Sequence, residues 1–206
     1  TNSNSTVIYF NDGGILKIRQ VNSDSQTVSV ASNAVFRDPS AWYHIVVACD
    51  TTQGTDTNRI KLYVNGVQIT SLSSTTYPSQ NADTFINSAN IHVIGKYPAS
   101  GNYYWDGYMA EVNLIDGLQL TPSSFGEFKN DIWIPKDTSG LTFGDEGFRL
   151  EFKQSGVGTA GTSTIGADTS GNTNHLTSSG LAVNDQVPDS PTNNFSTLNP
   201  LMNDPS

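Results

Sequence analysis

The chain has 206 residues, a formal net charge of −9, 35% hydrophobic residues and only 14% charged residues. An acidic surface repels phosphate groups, so we expect neither a nucleic-acid partner nor insertion into a membrane. The length allows one well-packed core together with an extended tail. Much of the polar remainder is Ser, Thr, Asn and Gly, which favour turns and short strands over helices, so an all-β protein is predicted.

Three short strands are predicted at the start of the chain. Apolar and β-branched residues cluster at 6–10, 15–19 and 27–30, and turn-forming residues separate them at 11–14 and 23–26. Such a series indicates a meander of antiparallel strands.

The strongest predicted strand spans residues 42–50. Trp42, His44 and Val46 would point to one face, and Ile45 and Val47 to the other. Both faces are largely apolar, so we expect this strand to be central in its sheet and covered on both sides. The alternation also makes Trp42 a packing residue and His44 a core histidine that bonds to the main chain.

Later segments continue the pattern. Residues 60–64 and 67–69 flank Asn65-Gly66, which predicts a type I′ hairpin because both turn residues tolerate positive φ. Further strands are predicted at 91–94, 108–115 and 148–152. A single helical turn is predicted at 121–125, with Thr121 as N-cap and Pro122 at the first helical position.

Several of these segments together resemble the laminin-G-like, concanavalin A-like jelly rolls. The similar stretches are residues 41–48, 60–66, 94–95 and 105–112, and their order and spacing match over about residues 6–120. The resemblance implies an antiparallel β-sandwich of the jelly-roll type, followed by a loop-rich, proline-containing C-terminal extension.

The later part of the chain resembles a narrower group, the structural proteins of marine bacteriophages. The similar stretches are residues 121–128, 147–152, 168–175 and 189–195. This resemblance implies a virion structural protein of tail-fibre or adhesin type that recognises host-surface glycan. It also implies other virion subunits as partners and a homo-oligomer, which would be a trimer in a fibre. The alternatives are a purely architectural decoration of capsid or tail, and a glycan-cleaving enzyme.

Three parts of the chain are expected. Residues 1–152 form the jelly-roll domain, residues 153–183 a loop-rich extension able to add edge strands, and residues 184–206 a linker or wrapping tail. Members of the family usually open with strands that precede the loop to which residues 1–5 are similar. We therefore expect the chain to be an excerpt of a longer polypeptide that lacks the first strands of the domain.

An aromatic cluster is the best candidate for a glycan site. Sugars stack their C–H faces on aromatic rings, and Asn or Asp side chains bond their hydroxyls. The candidate residues are Tyr97, Asn102, Tyr103, Tyr104 and Asp106. Trp105 stands where the family carries a core aromatic, so it is predicted to be buried, with Tyr103 and Tyr104 half exposed. Trp133 is predicted to anchor the later segment to the sandwich.

No catalytic motif is visible, and an enzyme is not expected. Cleavage of a glycosidic bond needs two carboxylates that flank it. Glu111 and Asp116 are five residues apart and would lie on opposite faces of a strand, and Glu151 has no acidic partner two residues away.

No cofactor is expected, with Ca²⁺ as the weaker alternative. Asp106, Asp116 and Asp168 are the candidate calcium ligands, but Asp also caps turns through its own backbone, which is the favoured interpretation. His44, His92 and His175 are scattered, with no second ligand at the spacing of a zinc site.

Overall fold

The computed structural model describes residues 4–86, 88–97, 103–187 and 190–191. Within them the chain forms only strands and short 3₁₀ turns, which confirms the predicted all-β class. The strands are β1 (Ser5–Phe10), β2 (Ile15–Asn22), β3 (Ser25–Val35), β4 (Ile45–Cys49), β5 (Ile60–Val64), β6 (Val67–Gln68), β7 (Leu72–Thr76), β8 (Val112–Leu114), β9 (Gly126–Lys129), β10 (Ile132–Pro135) and β11 (Phe148–Leu150). The 3₁₀ turns are Asp56–Asn58, Pro122–Ser124 and Val183–Asp185. None of the helical segments in these ranges has the length and apolarity of a membrane span.

The first sheet contains four antiparallel strands in the order β1-β2-β3-β7. Its reversals follow from local chemistry. Asn11 Oδ1 accepts hydrogen bonds from the N–H groups of Gly13 at 3.0 Å and Ile15 at 2.9 Å. Ser23 and Asp24 have φ angles of 49° and 65°, the two positive values that a type I′ turn requires. The predicted meander is therefore confirmed.

The second sheet has the order β4-β5-β6 and packs against the first. Asn65 and Gly66 have φ angles of 48° and 79°, so the predicted type I′ hairpin is confirmed. The buried core between the sheets comes from β2, β3 and β5 and consists of Ile18, Val28, Val30, Ile60 and Leu62. Stacking of two antiparallel sheets over one apolar core is the predicted β-sandwich.

The position of β4 differs from the prediction. Val47 and Cys49 pack against the core, which confirms the assignment of the two faces. However, the strand covers Ile45–Cys49 rather than residues 42–50, and in the described ranges it pairs only with β5. The expectation of a central strand is wrong because apolar faces report burial of side chains and not the pairing of main-chain edges.

The strands predicted at 91–94 and 108–115 are mostly irregular. No strand forms at 91–94, where Ile91 is 88% exposed, and only Val112–Leu114 of the second segment pairs, with β11. The late strand is Phe148–Leu150 because Phe152 has a φ of 55°, which ends the extended backbone. Alternating apolar residues form a strand only where a neighbour supplies the hydrogen bonds.

Two elements were not predicted. β7 is rich in Ser and Thr and has no apolar alternation, yet it pairs with β3. β9 and β10 form a hairpin through Asn130 and Asp131, whose φ angles of 50° and 62° again give a type I′ turn. The 3₁₀ turn at Pro122–Ser124 was predicted, but the Thr121 hydroxyl lies 2.8 Å from the Ser123 hydroxyl instead of capping a main-chain N–H.

Trp133 of β10 joins the later segment to the sandwich, as predicted. Its ring lies directly over Gly66 and Gly126, where a Cβ atom on either glycine would overlap it. The ring centroid is 5.6 Å from that of His44 and 5.0 Å from that of Phe128.

The expected extension and tail are only partly described. Residues 153–183 contain no strand and make isolated bridges, Leu150 with Asp168 and Gly156 with Thr164. Residues 1–3, 188–189 and 192–206, which include most of the predicted tail, lie outside the described residues. The boundaries of the three parts stay a prediction.

Candidate functional site

An aromatic hairpin, defined here as residues 95–97 and 103–105, presents the predicted glycan-binding rings. The Tyr97 N–H donates to the Tyr103 carbonyl at 3.0 Å, and the Trp105 N–H donates to the Gly95 carbonyl at 2.8 Å. Gly95 has a φ of 79°, a backbone conformation that favours glycine. These bonds hold two short chain segments side by side, with Tyr97 beside Tyr103 and Tyr104 opposite Lys96.

The exposed rings of this hairpin are well placed for a ligand. Tyr103 and Tyr104 are 68% and 62% exposed. The ring centroids of Tyr97 and Tyr103 are 6.4 Å apart, and Lys96 Nζ lies 5.2 Å from the centroid of the Tyr104 ring. A sugar could stack on these faces while the ammonium group bonds its hydroxyl or carboxylate oxygens.

Trp105 is more exposed than predicted. It is 44% exposed, and its ring packs beside Phe10 of β1 at a centroid distance of 6.1 Å. Phe10 in turn contacts Phe36, and Phe36 contacts Tyr43, at centroid distances of 5.8 Å and 5.3 Å. The prediction of a core tryptophan is wrong because residue 105 lies outside any strand and packs at the end of an aromatic row, where its ring stays partly exposed.

The remaining candidates for the glycan site stand apart from the rings. Asp106 is exposed and follows Trp105 in the chain. Asn102 lies outside the described residues. Of the five candidates, Tyr97 and Tyr103 are in ring contact and Tyr104 lies beside Lys96, and the roles of all five residues stay a prediction.

The buried carboxylate of Asp168 organises a loop. Asp168 Oδ1 accepts hydrogen bonds from the N–H groups of Arg149 at 2.8 Å and Ser170 at 2.9 Å. Its Oδ2 accepts from the Ser170 hydroxyl and the Asn174 N–H, both at 2.9 Å. Burial opposes ionisation, but these bonds to the charged form hold the pKa of Asp168 below its ordinary value.

The hydrogen bonds to Asp168 give little support to a calcium site. Both oxygens of Asp168 are already engaged by donors, as the turn interpretation expects. Asp116 Oδ2 accepts the Glu146 N–H at 3.4 Å, and Asp106 is exposed. In the part of the chain that the structure describes, no three His, Cys, Asp or Glu side chains are grouped to hold a metal ion.

The three histidines occupy different environments. His44 Nδ1 is buried and has no hydrogen-bond partner in the described ranges, so the prediction that this ring bonds to the main chain is wrong. Its main-chain N–H instead donates to Asn65 Oδ1 at 2.8 Å, and burial lowers the pKa of the ring. His92 is exposed, and His175 Nδ1 accepts the Asp168 N–H at 2.9 Å.

A buried ionic network around Arg149 was missed by the sequence analysis. Arg149 is 6% exposed, and its Nε donates to the Thr138 hydroxyl at 2.8 Å. Its Nη1 lies 3.1 Å from Glu151 Oε2, and its Nη2 lies 3.1 Å from Asp137 Oδ1 and 3.9 Å from Glu111 Oε1. The one signal in the sequence is an arginine between Phe148 and Leu150 in a predicted strand.

This network contains two carboxylates in contrasting environments. β8 pairs with β11 so that Val112 lies opposite Leu150, which brings Glu111 toward Glu151. Burial raises the pKa of Glu111, although Arg149 opposes the shift. Burial acts in the same direction on Glu151, but hydrogen bonds from Lys153 and Thr169 and the charge of Arg149 hold its pKa below the ordinary value. Acid–base pairs in enzymes show such contrasts, but here the guanidinium group bridges both carboxylates.

Comparison with known proteins identifies one family. Residues 1–123 match the laminin-G-type family described as the concanavalin A-like lectin/glucanases superfamily, which is more than half of the chain. No curated protein and no solved structure matches the chain. The matched residues include both sheets of the sandwich, the aromatic hairpin and β8. The chain therefore belongs to the concanavalin A-like lectin/glucanases superfamily.

Proposed function

We propose that this chain is a carbohydrate-binding module and that the aromatic hairpin is its glycan-binding site. The observation that carries the proposal is the exposure of Tyr103 and Tyr104, at 68% and 62%, beside Tyr97 and Lys96. Exposed aromatic side chains that are grouped on one part of the surface are typical of binding sites. The family description, which names lectins, agrees with this chemistry.

The proposed activity is binding without cleavage. Glu111 and Glu151 are the two carboxylates that neighbouring strands bring together, yet both are held by Arg149. A general acid and a nucleophile must both reach the sugar, and here the side chain of Glu151 is only 9% exposed. A reducing-sugar release assay on any glycan that binds tests this part, and release at a rate lost in Glu151→Gln would contradict it.

We further propose a virion setting for the module. The support is the resemblance of residues 121–128, 147–152, 168–175 and 189–195 to bacteriophage structural proteins. In that setting the module is part of a tail fibre or adhesin, bound to other virion subunits as a homo-oligomer, and contacts host-surface glycan. Immunogold labelling of purified virions that carry this sequence tests the location.

The experiment for glycan binding is an array screen followed by titration. The wild-type protein is screened on immobilised glycans at a sensitivity that detects millimolar dissociation constants, and the best ligand is titrated against Tyr104→Ala and Tyr103→Ala. Each substitution is expected to weaken binding about 2- to 12-fold, because a stacked ring contributes about 0.5–1.5 kcal/mol.

Phe128→Ala provides the control for loss of an exposed ring. Phe128 is 58% exposed and belongs to the separate β9–β10 hairpin. Its substitution should leave the dissociation constant unchanged. Equal affinity of Tyr104→Ala and wild type for the identified glycan would contradict the proposed site.

A further inference from the structure

One charged side chain belongs to the aromatic hairpin, and it lies against a tyrosine ring. Lys96 is the only charged residue of 95–97 and 103–105, and it pairs across the hairpin with Tyr104. Both residues are exposed, and Lys96 Nζ lies 5.2 Å from the centroid of the Tyr104 ring. An ammonium group within about 6 Å of a ring centroid is attracted to the ring face. The charge of Lys96 is therefore held beside a surface on which a sugar stacks.

None of the ion pairs among the described residues includes Lys96. Acidic residues outnumber Lys and Arg by 19 to 10 in the whole chain. Lys136, Arg149 and Lys153 each form an ion pair with a carboxylate. Asp106 follows the aromatic hairpin, but it is not an ion-pair partner of Lys96. The ammonium group of Lys96 is thus open to an anionic group of a ligand.

The ammonium group favours a charged sugar over a neutral one. It donates hydrogen bonds and accepts none. A sugar hydroxyl replaces a water molecule that bonds the ammonium group about as well, so the net gain is small. A carboxylate adds the attraction between opposite charges. Lys96 is therefore expected to distinguish sugars by charge, whereas the tyrosine rings stack on sugars of either kind.

The short distance between the ammonium group and the ring indicates how the acid group of the sugar is attached. In a uronic acid the carboxylate is bonded directly to a carbon of the sugar ring, so it stays near the face that stacks. A sulfate ester extends farther, because an oxygen atom lies between the sugar carbon and the sulfur. Since Lys96 Nζ is only 5.2 Å from the Tyr104 centroid, a carboxylate on the sugar ring fits this spacing better.

The acidity of the whole chain does not prevent this interaction. The net charge is −9, but interactions between exposed charges are largely screened beyond about 8 Å at physiological ionic strength. The aromatic hairpin itself carries one positive and no negative side chain. A carboxylate bound beside the Tyr104 ring therefore lies close to the Lys96 charge, while acidic groups beyond the screening distance have little effect on it.

We propose that the ligand of the aromatic hairpin is a glycan that contains uronic acid, with a sugar ring on Tyr104 and its carboxylate on Lys96. Because a ligand class is named for the same site, this assignment rests on the proposed function. Lys96 determines the specificity of the site, and the tyrosine rings supply affinity for sugars in general.

Paired ligands that differ only in charge provide the direct test. The probes are oligomers of galacturonate, glucuronate and mannuronate, each compared with its methyl ester, which keeps the sugar and removes the charge. Dissociation constants are measured at neutral pH by titration of the full chain with nuclear magnetic resonance detection. The acid that binds most tightly should bind about 2- to 5-fold more tightly than its ester, the range expected for an exposed ion pair.

Two substitutions of Lys96 test the residue itself. Lys96→Met removes the charge and keeps an unbranched side chain, so acid and ester should bind this variant equally. Lys96→Arg retains the charge and should retain the preference for the acid. The matched control is Lys129→Met at an exposed position of β9, which changes the net charge by the same amount. This control should keep the preference of the wild type.

Three results would overturn the uronate assignment and leave the proposed function intact. The first is equal affinity of the wild-type protein for acid and ester, while Tyr104→Ala still weakens binding. The second is a preference for the acid that persists in Lys96→Met. The third is that neutral or sulfated oligomers bind at the hairpin more tightly than any uronate.

A different result would reject the proposed function as well. If no glycan of any kind binds, or if Tyr103→Ala and Tyr104→Ala bind the best glycan as the wild type does, the hairpin is not a glycan-binding site. The uronate assignment then fails with it.

Discussion

Between the two sheets of the sandwich, the core cluster contributed by β2, β3 and β5 is apolar, with Ile18 and Leu62 only 2% and 1% exposed. In the later region, where β8 pairs with β11, a guanidinium group, carboxylates and hydroxyls share the interior around Arg149. The first region is stabilised by burial of apolar area, which is non-directional. The second depends on directional bonds, each of which leaves a costly unpaired group when one partner is removed.

The largest expected effect is in the polar region. Arg149→Met keeps an unbranched side chain but removes the guanidinium group that neutralises the buried Glu151 and donates to the Thr138 hydroxyl. We expect a loss of about 3–5 kcal/mol in the free energy of unfolding, measured by urea denaturation. The control is Lys153→Met, whose side chain is 70% exposed and should contribute less than about 1 kcal/mol. Similar losses for the two variants would mean that the network does not stabilise the later region.

The next effect is in the apolar region. Leu62→Ala removes a side chain that is 1% exposed and lies in the core cluster. We expect a loss of about 2–5 kcal/mol, from lost burial and from the cavity that remains. Leu118→Ala is the matched control, because the same residue type is 54% exposed there and should cost less than about 1 kcal/mol. If both leucines cost the same, the core does not lie between the two sheets.

A smaller effect distinguishes the polar region from the apolar region, because the stability of the polar region depends on pH. The folded pKa of Asp168 is lowered, so its ionised form contributes stability above the unfolded pKa of about 3.9. That contribution is lost as the pH falls through the lower, folded pKa. Asp168→Asn should therefore cost about 1–3 kcal/mol at pH 7, and the difference from wild type should shrink in acid.

Urea unfolding at several pH values measures the Asp168 contribution. Asp12→Asn, at an exposed turn position, should change the free energy of unfolding by less than about 0.5 kcal/mol. A loss in Asp168→Asn that stays constant from neutral to acidic pH would contradict the role of the ionised carboxylate.

The smallest effect concerns the contact between the two regions. Gly66 has a φ of 79° and lies under the Trp133 ring, so Gly66→Ala should cost about 1–2 kcal/mol and shift the tryptophan fluorescence. A methyl group on Gly54 would point into open space, so Gly54→Ala should leave both stability and fluorescence close to wild type. An unchanged emission spectrum in Gly66→Ala would remove Trp133 from this contact.

The sequence predicts the sandwich better than it predicts the polar region around Arg149. Asn65-Gly66 and the alternation around it predict their hairpin because the determinants are adjacent in the chain. The bonds of Asp168 reach Arg149, 19 residues away, and Glu111 meets its ionic partners only after β8 pairs with β11. Long-range pairing of this kind leaves no local pattern.

For the candidate site, the sequence predicts the residue types but not their exposure. Tyr97 and Tyr103 of the aromatic hairpin come together as expected, whereas Tyr104 contacts Lys96. Trp105 was assigned to the core because it stands where the family carries a core aromatic, but it is 44% exposed. Its burial depends on neighbouring segments that the resemblance does not specify.

The most direct test of the account is a nuclear magnetic resonance titration with the glycan identified by the array screen. Aromatic ¹³C resonances of the tyrosines are followed at increasing glycan concentration. We predict that the resonances of Tyr97, Tyr103 and Tyr104 shift with one common dissociation constant, while those of Tyr63 in β5 stay in place. Saturable binding that leaves the three hairpin tyrosines unshifted would contradict the account.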